Sequence, residues 1–200
     1  MPTKIEGSAD VSPDAKIGNE VRIWHLAQVR ERADIGDGCI IGRGAYIGTG
    51  VTLGRHCKVQ NYALVYEPAR LGDGVFIGPA AVLTNDQFPR SVSPDLALKG
   101  ASDWEAVGVT IGDGASIGAR AVCVAPITIG RWATVAAGAV ATRDVPDFAL
   151  VAGVPARRIG WVGKQGHPLR EVETGIFECP EDGSRYHLIA AEHLKEFRDS

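Results

Sequence analysis

Residues 35 to 54 read IGDGCIIGRGAYIGTGVTLG. An aliphatic residue returns at every sixth position, Ile35, Ile41, Ile47 and Leu53, and a smaller one follows four places later, Cys39, Ala45, Val51 and Cys57. The phase runs on without a miss, back through Val29, Ile23, Ile17 and Val11 to Ile5 and forward through Val59, Val65, Leu71 and Ile77 to Leu83. A period of six matches neither the 3.6-residue helix nor a long run of strand alternation. It fits short strands joined by regular corners, the pattern of a parallel β-helix whose turns stack one on another. The large residues then fill a shaft, and the small ones sit where the backbone bends towards itself. Glycine follows many of the large residues, as at Gly36, Gly42, Gly48 and Gly54, and tolerates corner dihedrals.

The chain has 200 residues, 45% of them hydrophobic, and a net charge of −3. That predicts one ordinary domain with a small appendage. It gives no basic face for nucleic acid. No basic segment followed by an apolar run opens the chain, and no apolar stretch is long enough to span a membrane. Cys39 and Cys57 fall on the small lattice and Cys123 on the large one, which predicts buried, reduced thiols and a cytoplasmic protein.

The lattice stops at Phe88. Residues 89–107 carry Pro89, Pro94 and Gly100 and read as a loop ejected from the shaft, a length that usually serves function. The repeat resumes at Ile111, Ile117, Cys123, Ile129 and Val135. Ile127 occupies a small position, which predicts a distorted corner. The segment from Val151 to Trp161 is expected to close the end of the shaft, since an open coil exposes unpaired edges. These boundaries define a β-helix domain over 1–164 and an appendage over 165–200. In the appendage, Val172–Glu178 and Arg185–Ile189 read as two strands around the turn Pro180-Glu181-Asp182-Gly183, and Ala190–Arg198 has helical character. Cys179 stands alone there, so no zinc knuckle is expected.

The repeat resembles the left-handed hexapeptide-repeat proteins, all-β folds in which three hexads make one triangular turn. The resemblance implies left-handed crossovers, against the usual rule. With three hexads per coil, residues eighteen apart stack in columns. One column contains Thr49, Glu67 and Asn85, and another contains His25, Arg43 and Asn61. Ala119 lies one coil below Ala137, and Gly118 below Ala136, leaving a groove of small side chains. Asn85 and Asp86 stand where the loop departs. A carboxylate and an amide on adjacent coils there can hold an amine. His25 and His56 are the shaft's only histidines, and neither maps near the loop. A packed or substrate-touching role suits them better than that of a general base. Two histidines are also too few for the zinc site of a γ-class carbonic anhydrase, so no metal is expected.

Several segments narrow the resemblance: Ile23-Trp24-His25, Lys58-Val59-Gln60-Asn61, Val65-Tyr66-Glu67, Leu83-Thr84-Asn85-Asp86 with Pro89-Arg90-Ser91, and Gly153-Val154-Pro155-Ala156-Arg157 with Ile159-Gly160-Trp161. They look like the bacterial N-acetyltransferases that modify the 3-amino group of nucleotide-linked sugars. The resemblance implies acetyl transfer from acetyl-CoA to a UDP- or dTDP-linked amino sugar, in a cleft between subunits of a homotrimer, serving polysaccharide biosynthesis. It gives Asn85 the role of the active-site asparagine, with Glu67 or water as proton acceptor. Asn61, Asp86, Arg90 and His25 are the candidate sugar-nucleotide contacts; Arg90 or a loop residue of another subunit suits a sugar carboxylate. Ala119, Ala136, Ala137 and Gly138 form the coenzyme groove, and Arg157 and Arg158 suit the coenzyme's phosphates. Two other readings stay open: an acyltransferase for another small amine or acyl donor, and a non-catalytic trimeric scaffold.

Overall fold

The structure is a computed structural model that describes residues 2–191 and 193–197. It is a left-handed parallel β-helix of about eight coils, and no helix forms among the described residues. Each complete coil contributes one two- or three-residue strand to each of three faces, and the last adds a longer one to the first face only. The first face runs from Lys4–Ile5 through Arg22–Ile23, Ile40–Ile41, Lys58–Val59, Phe76–Ile77, Ser116–Ile117 and Thr134–Val135 to Ala149–Gly153. The second runs from Asp10–Val11 to Val140–Ala141, and the third from Lys16–Ile17 to Ile127–Ile129. Pairing is parallel with a register of eighteen residues, as in Val29↔Ile47 and Val65↔Leu83. Across the ejected loop the register widens without slipping, and Leu71 pairs with Ile111.

Both lattices point inward. From Val21 to Leu83 every lattice position is buried, because each coil covers the one beneath. The first coil has nothing below it, and Ile5 remains 45% exposed. The four cysteines are free and buried.

Side chains at the corners fold back onto the preceding coil. The ring of Tyr62 lies over Gly44, and that of Trp132 over Gly114. Both glycines also have positive φ, +62° and +67°, so a side chain there meets a strained backbone and an aromatic ring at once. At the corner between the third and first faces, the N–H groups of Asn19, Arg55, Asp73 and Arg131 donate to Asp37, Asp73, Asp113 and Asp147 of the coil above, at 2.6, 2.7, 2.8 and 2.7 Å. These carboxylates satisfy the corner N–H groups that the parallel ladder leaves over.

The distortion expected at Ile127 takes the form of a longer pairing. Val109–Ile111 and Ile127–Ile129 are three-residue strands, and Ile127 stacks on Val109. A branched residue on both coils keeps the corner filled, and Ile127 is buried.

The shaft's end is closed by Ala149–Gly153, which extends the first face, and by Ala156–Trp161 antiparallel to it. Beyond it the appendage departs from expectation. It is a four-stranded antiparallel sheet of Arg170–Glu173, Ile176–Glu178, Arg185–Ala190 and His193–Phe197. The first expected strand is divided by a turn at Gly175, whose φ is +75°. The helix expected over Ala190–Arg198 is replaced by the strand His193–Phe197, while Arg198 lies outside the described residues. Such a segment is too short to hold a helix by itself. As a strand it pairs with Arg185–Ala190 and buries Leu194, while His193 and Lys195 face outward. Tyr186 anchors the sheet, its ring 5.2 Å from that of Phe148 and its hydroxyl accepting from the Lys164 N–H at 3.1 Å.

Candidate functional site

The three corners of the prism are chemically unequal. The corner between the third and first faces carries the acidic ladder described above, with His56 beside it, and its polar groups are largely spent on holding coils together. The other two corners carry the candidate residues, and many of their polar groups lack partners.

At the corner between the second and third faces, the pairing Val65↔Leu83 puts Glu67 and Asn85 at equivalent positions of successive coils. The Glu67 carboxylate folds away from Asn85 and rests on Gly48, which has room for it only because it lacks a side chain. Its Oε2 is buried without a hydrogen-bond partner. Around it the rings of Tyr46 and Tyr66 pack with centroids 5.1 Å apart. Burial, and then the charge of Glu67, push the Tyr46 hydroxyl above its ordinary pKa. Asn85 is half-buried, and its carboxamide makes no hydrogen bond among the described residues. Its carbonyl accepts from the Val107 N–H at 3.0 Å and closes the neck of the loop. Asp86 accepts from the Phe88 N–H at 2.8 Å, which tightens the loop's first turn, and Arg90 donates to the Pro89 carbonyl from an exposed position.

The corner between the first and second faces carries His25, Arg43, Asn61, Pro79, Ala119 and Ala137 on successive coils, through the pairings Ile23↔Ile41, Val59↔Ile41, Val59↔Ile77, Ile77↔Ile117 and Ile117↔Val135. The His25 ring is held by Ser8, with 2.9 Å between Oγ and Nδ1, and stands 3.7 Å from the Glu6 carboxylate. The side chain of Asn61 accepts from the Arg43 N–H at 2.9 Å. Above Asn61 the corner-capping side chains cease. Where the acidic ladder would put an aspartate there is Pro79, Ala137 or Gly153, so the N–H groups of Asn61, Ala119 and Ala137 meet no acceptor among the described residues. Gly118 lies against the backbone of Ala136 and Ala137, and Gly138 has open space around it. The result is a strip of small side chains and free backbone donors.

The strip ends at the closing hairpin. Ala152 pairs with Arg157, and Val151, which pairs with Arg158, stacks on Val135. Arg157 and Arg158 line a cavity of about 160 Å³ together with Arg143 and Asp144, and the guanidinium groups of Arg157 and Arg158 donate to the Ala156 and Ala191 carbonyls at 2.9 and 3.4 Å. Arg158 also lies over the Trp161 ring, 4.4 Å from its centroid.

One chain therefore brings Glu67, Asn85, Asp86 and Arg90 to one corner and His25, Asn61, Ala119, Ala136, Ala137 and Gly138 to another, with the second face between them. The outward row of that face begins with Asp10 and Gln28 and is mostly apolar from Tyr46 upward, through Leu64, Val82, Val122 and Val140. Sequence reasoning missed the tyrosine pair beside Glu67, the Ser8 and Glu6 contacts of His25, and Arg143 at the end cavity. Neither Tyr46 nor Ser8 shares a column with the residue it serves, since Tyr46 stacks on Leu64 and Ser8 lies one coil below Leu26, whereas Arg143, two residues past Ala141, falls on the Asn85 column through Leu83↔Cys123 and Cys123↔Ala141. No group of three or more metal-ligating side chains forms among the described residues.

Comparison with known proteins agrees with the coiled fold. Residues 14–49 match the model described as bacterial transferase hexapeptide (six repeats), and residues 108–143 match the hexapeptide repeat of succinyl-transferase. The shaft is built of hexapeptide repeats. Over 74 residues, 36% of the chain and 37% of the relative, it is 46% identical to the dTDP-3-amino-3,6-dideoxy-alpha-D-galactopyranose 3-N-acetyltransferase of Aneurinibacillus thermoaerophilus. It is 32% identical over 165 residues to the bifunctional protein GlmU of Synechococcus sp. (strain RCC307), covering 80% of this hexapeptide-repeat chain and 36% of that protein. Among solved structures, the acetyltransferase domain of PglB from Neisseria gonorrhoeae FA1090 is similar with a TM-score of 0.53 and 25% identity, over 79% of this chain and 58% of that one. The chain thus spans little more than a third of the curated relatives it matches here.

Proposed function

We propose that this hexapeptide-repeat protein is an N-acetyltransferase that moves an acetyl group from acetyl-CoA to the 3-amino group of a UDP- or dTDP-linked sugar. The observation that carries the reading is the hydrogen-bond inventory of the corners. Polar groups are left over where catalysis needs them, the Asn85 carboxamide and Glu67 Oε2 at the root of the loop and the free N–H groups of Ala119 and Ala137. The resemblance of sequence motifs and the similarity to an amino-sugar N-acetyltransferase support the same class.

The small-residue strip fits an extended pantetheine arm, whose amide carbonyls take up backbone donors, and Arg157 and Arg158 of the closing hairpin fit phosphates. Because the strip and Asn85 occupy different corners of one chain, the active site is composite. One copy supplies the strip and a neighbour supplies Asn85, Glu67 and the loop. A homotrimer closed through the apolar outer row of the second face meets that need, since a cyclic assembly repeats one heterologous contact three times.

In this reading the Asn85 carboxamide orients the neutral amine, whose nitrogen attacks the thioester carbonyl carbon. Positioning supplies much of the acceleration, because a thioester is already activated. A free backbone N–H stabilises the oxyanion. The tetrahedral intermediate collapses with loss of the coenzyme thiolate, and the ammonium proton passes to Glu67 or to water, leaving the amide. Thiol release from acetyl-CoA, assayed against UDP- and dTDP-linked 3-amino sugars, tests the proposal. Thiol release seen only with a non-sugar amine overturns it.

A further inference from the structure

On its three upper coils, the corner between the first and second faces is turned by Gly78-Pro79-Ala80, Gly118-Ala119-Arg120 and Ala136-Ala137-Gly138. Eight of these nine residues are glycine, alanine or proline, and the ninth is Arg120. The outward rows on either side, Phe76, Ser116 and Thr134 on the first face and Val82, Val122 and Val140 on the second, carry no charge. Along the corner the next cations are Arg43 below and Arg157 and Arg158 at the closing hairpin. Each is two or more coil steps away, about 10 Å at the spacing of neighbouring strands.

Arg120 is exposed, and its guanidinium makes no hydrogen bond or ion pair among the described residues. Its N–H donates to the Pro79 carbonyl at 2.9 Å, which seats it on the coil from which the loop and Asn85 depart. Its φ is +57°, a conformation that suits glycine better. Leu26, Tyr62 and Ala80 share that φ at the same corner position, so the charge and not the backbone sets Arg120 apart. From the equivalent corner position Tyr62 folds onto the coil beneath, over Gly44, and Trp132 does the same over Gly114. A side chain that leans the same way from residue 120 reaches the level of Ala80, the lower end of the small-residue strip. A cation is expensive on a strip that a coenzyme and a second copy would cover, because covering removes its water and the strip offers no acid in return.

We infer that Arg120 is a catalytic residue of the proposed acetyl transfer, with its guanidinium against the carbonyl oxygen of the thioester. When the amine nitrogen attacks the carbonyl carbon, the π pair of the C=O bond moves onto that oxygen. The pair returns as the C–S bond breaks and the coenzyme thiolate leaves. The oxyanion is the negative charge that develops at this end of the strip, and a fixed cation in a covered, apolar setting stabilises it more than it could in water. Arg120 thus adds a full charge beside the free N–H of Ala119. The inference rests on the proposed transfer and names the group that carries its transition-state charge.

Thiol release from acetyl-CoA by the native chain, Arg120→Gly and Arg120→Lys tests it. Arg120→Gly is expected to lose about 100-fold in kcat, with KM for acetyl-CoA and for the acceptor within about threefold of native. Guanidinium ion at millimolar concentration should restore part of that loss, and Arg120→Lys should keep more turnover than Arg120→Gly. The unfolding midpoint of Arg120→Gly is expected to hold or rise, since glycine relieves the positive φ, so a lost fold does not account for the lost kcat. A raised KM at unchanged kcat makes Arg120 a binding contact and overturns the inference. Unchanged kcat and KM overturn it as well, as does a change of oligomeric mass in Arg120→Gly, which marks a contact between copies. If only a non-sugar amine releases thiol, the sugar-nucleotide reading falls, and the same loss of kcat with that amine still supports Arg120. If the native chain releases thiol with no amine, both fall.

Discussion

Asn85 stands one coil above Glu67 on the same corner, yet the Glu67 carboxylate is turned down onto Gly48, away from it. The two are neighbours by register and do not touch through their polar groups. Glu67 accepts a proton at Asn85 only after rotating off Gly48 or through an intervening water. Substitutions at the two positions are therefore separable.

Replacing Asn85 with alanine removes a carboxamide that makes no hydrogen bond among the described residues. Turnover in the thiol-release assay is expected to fall about 100-fold, the usual loss for one positioning donor, while the unfolding midpoint and oligomeric mass stay unchanged. Unchanged turnover removes Asn85 from the mechanism.

Glu67 is expected to trade stability for function. Its buried, unpartnered Oε2 costs roughly 1 kcal/mol or more, so Glu67→Leu should raise the denaturant midpoint while lowering kcat. A variant that is less stable and fully active marks Glu67 as a packing residue only.

A composite site predicts rescue between two inactive chains. Asn85→Ala disables one contribution and Ala119→Trp blocks the strip, the other. Mixed at equal amounts by co-refolding, the two should regain about a quarter of native activity, the share of sites that draw both intact contributions from different copies. No recovery in verified mixed oligomers places the whole site within one chain.

Gly114 combines a φ of +67° with the Trp132 ring packed over it. Gly114→Ala should destabilise by about 2 kcal/mol or more, read as a lower urea midpoint. The same substitution at Gly138, where φ is +70° but the space is open, should cost less; equal losses deny the ring any part in the effect.

Burial pushes the Cys123 thiol up to about 12. The unfolded chain ionises this cysteine near pH 8.5, so its contribution to stability is complete below that value and is lost as pH rises towards about 12. Cys123→Ser should flatten the alkaline fall in unfolding midpoint over that window. In the native state at pH 8 all four buried cysteines should resist a thiol reagent until the protein is unfolded.

The sequence alone determined the shaft. A sixfold lattice of large and small residues leaves only short strands and corners, and once three hexads are taken per coil the register of eighteen follows, so Glu67 under Asn85 and Ala119 under Ala137 were legible before any coordinates. The strand at His193–Phe197 was not, because five residues carry no period long enough to separate a helix from an edge strand, and pairing with Arg185–Ala190 decided it. Tertiary structure alone showed which way side chains lean. Each corner folds onto the coil before it, which turns Glu67 towards Gly48, lays the Tyr62 ring over Gly44, and consumes the acids of one corner as caps while leaving N–H groups of another without an acceptor among the described residues. Those are consequences of hydrogen-bond satisfaction between coils, a three-dimensional accounting that residue spacing does not contain.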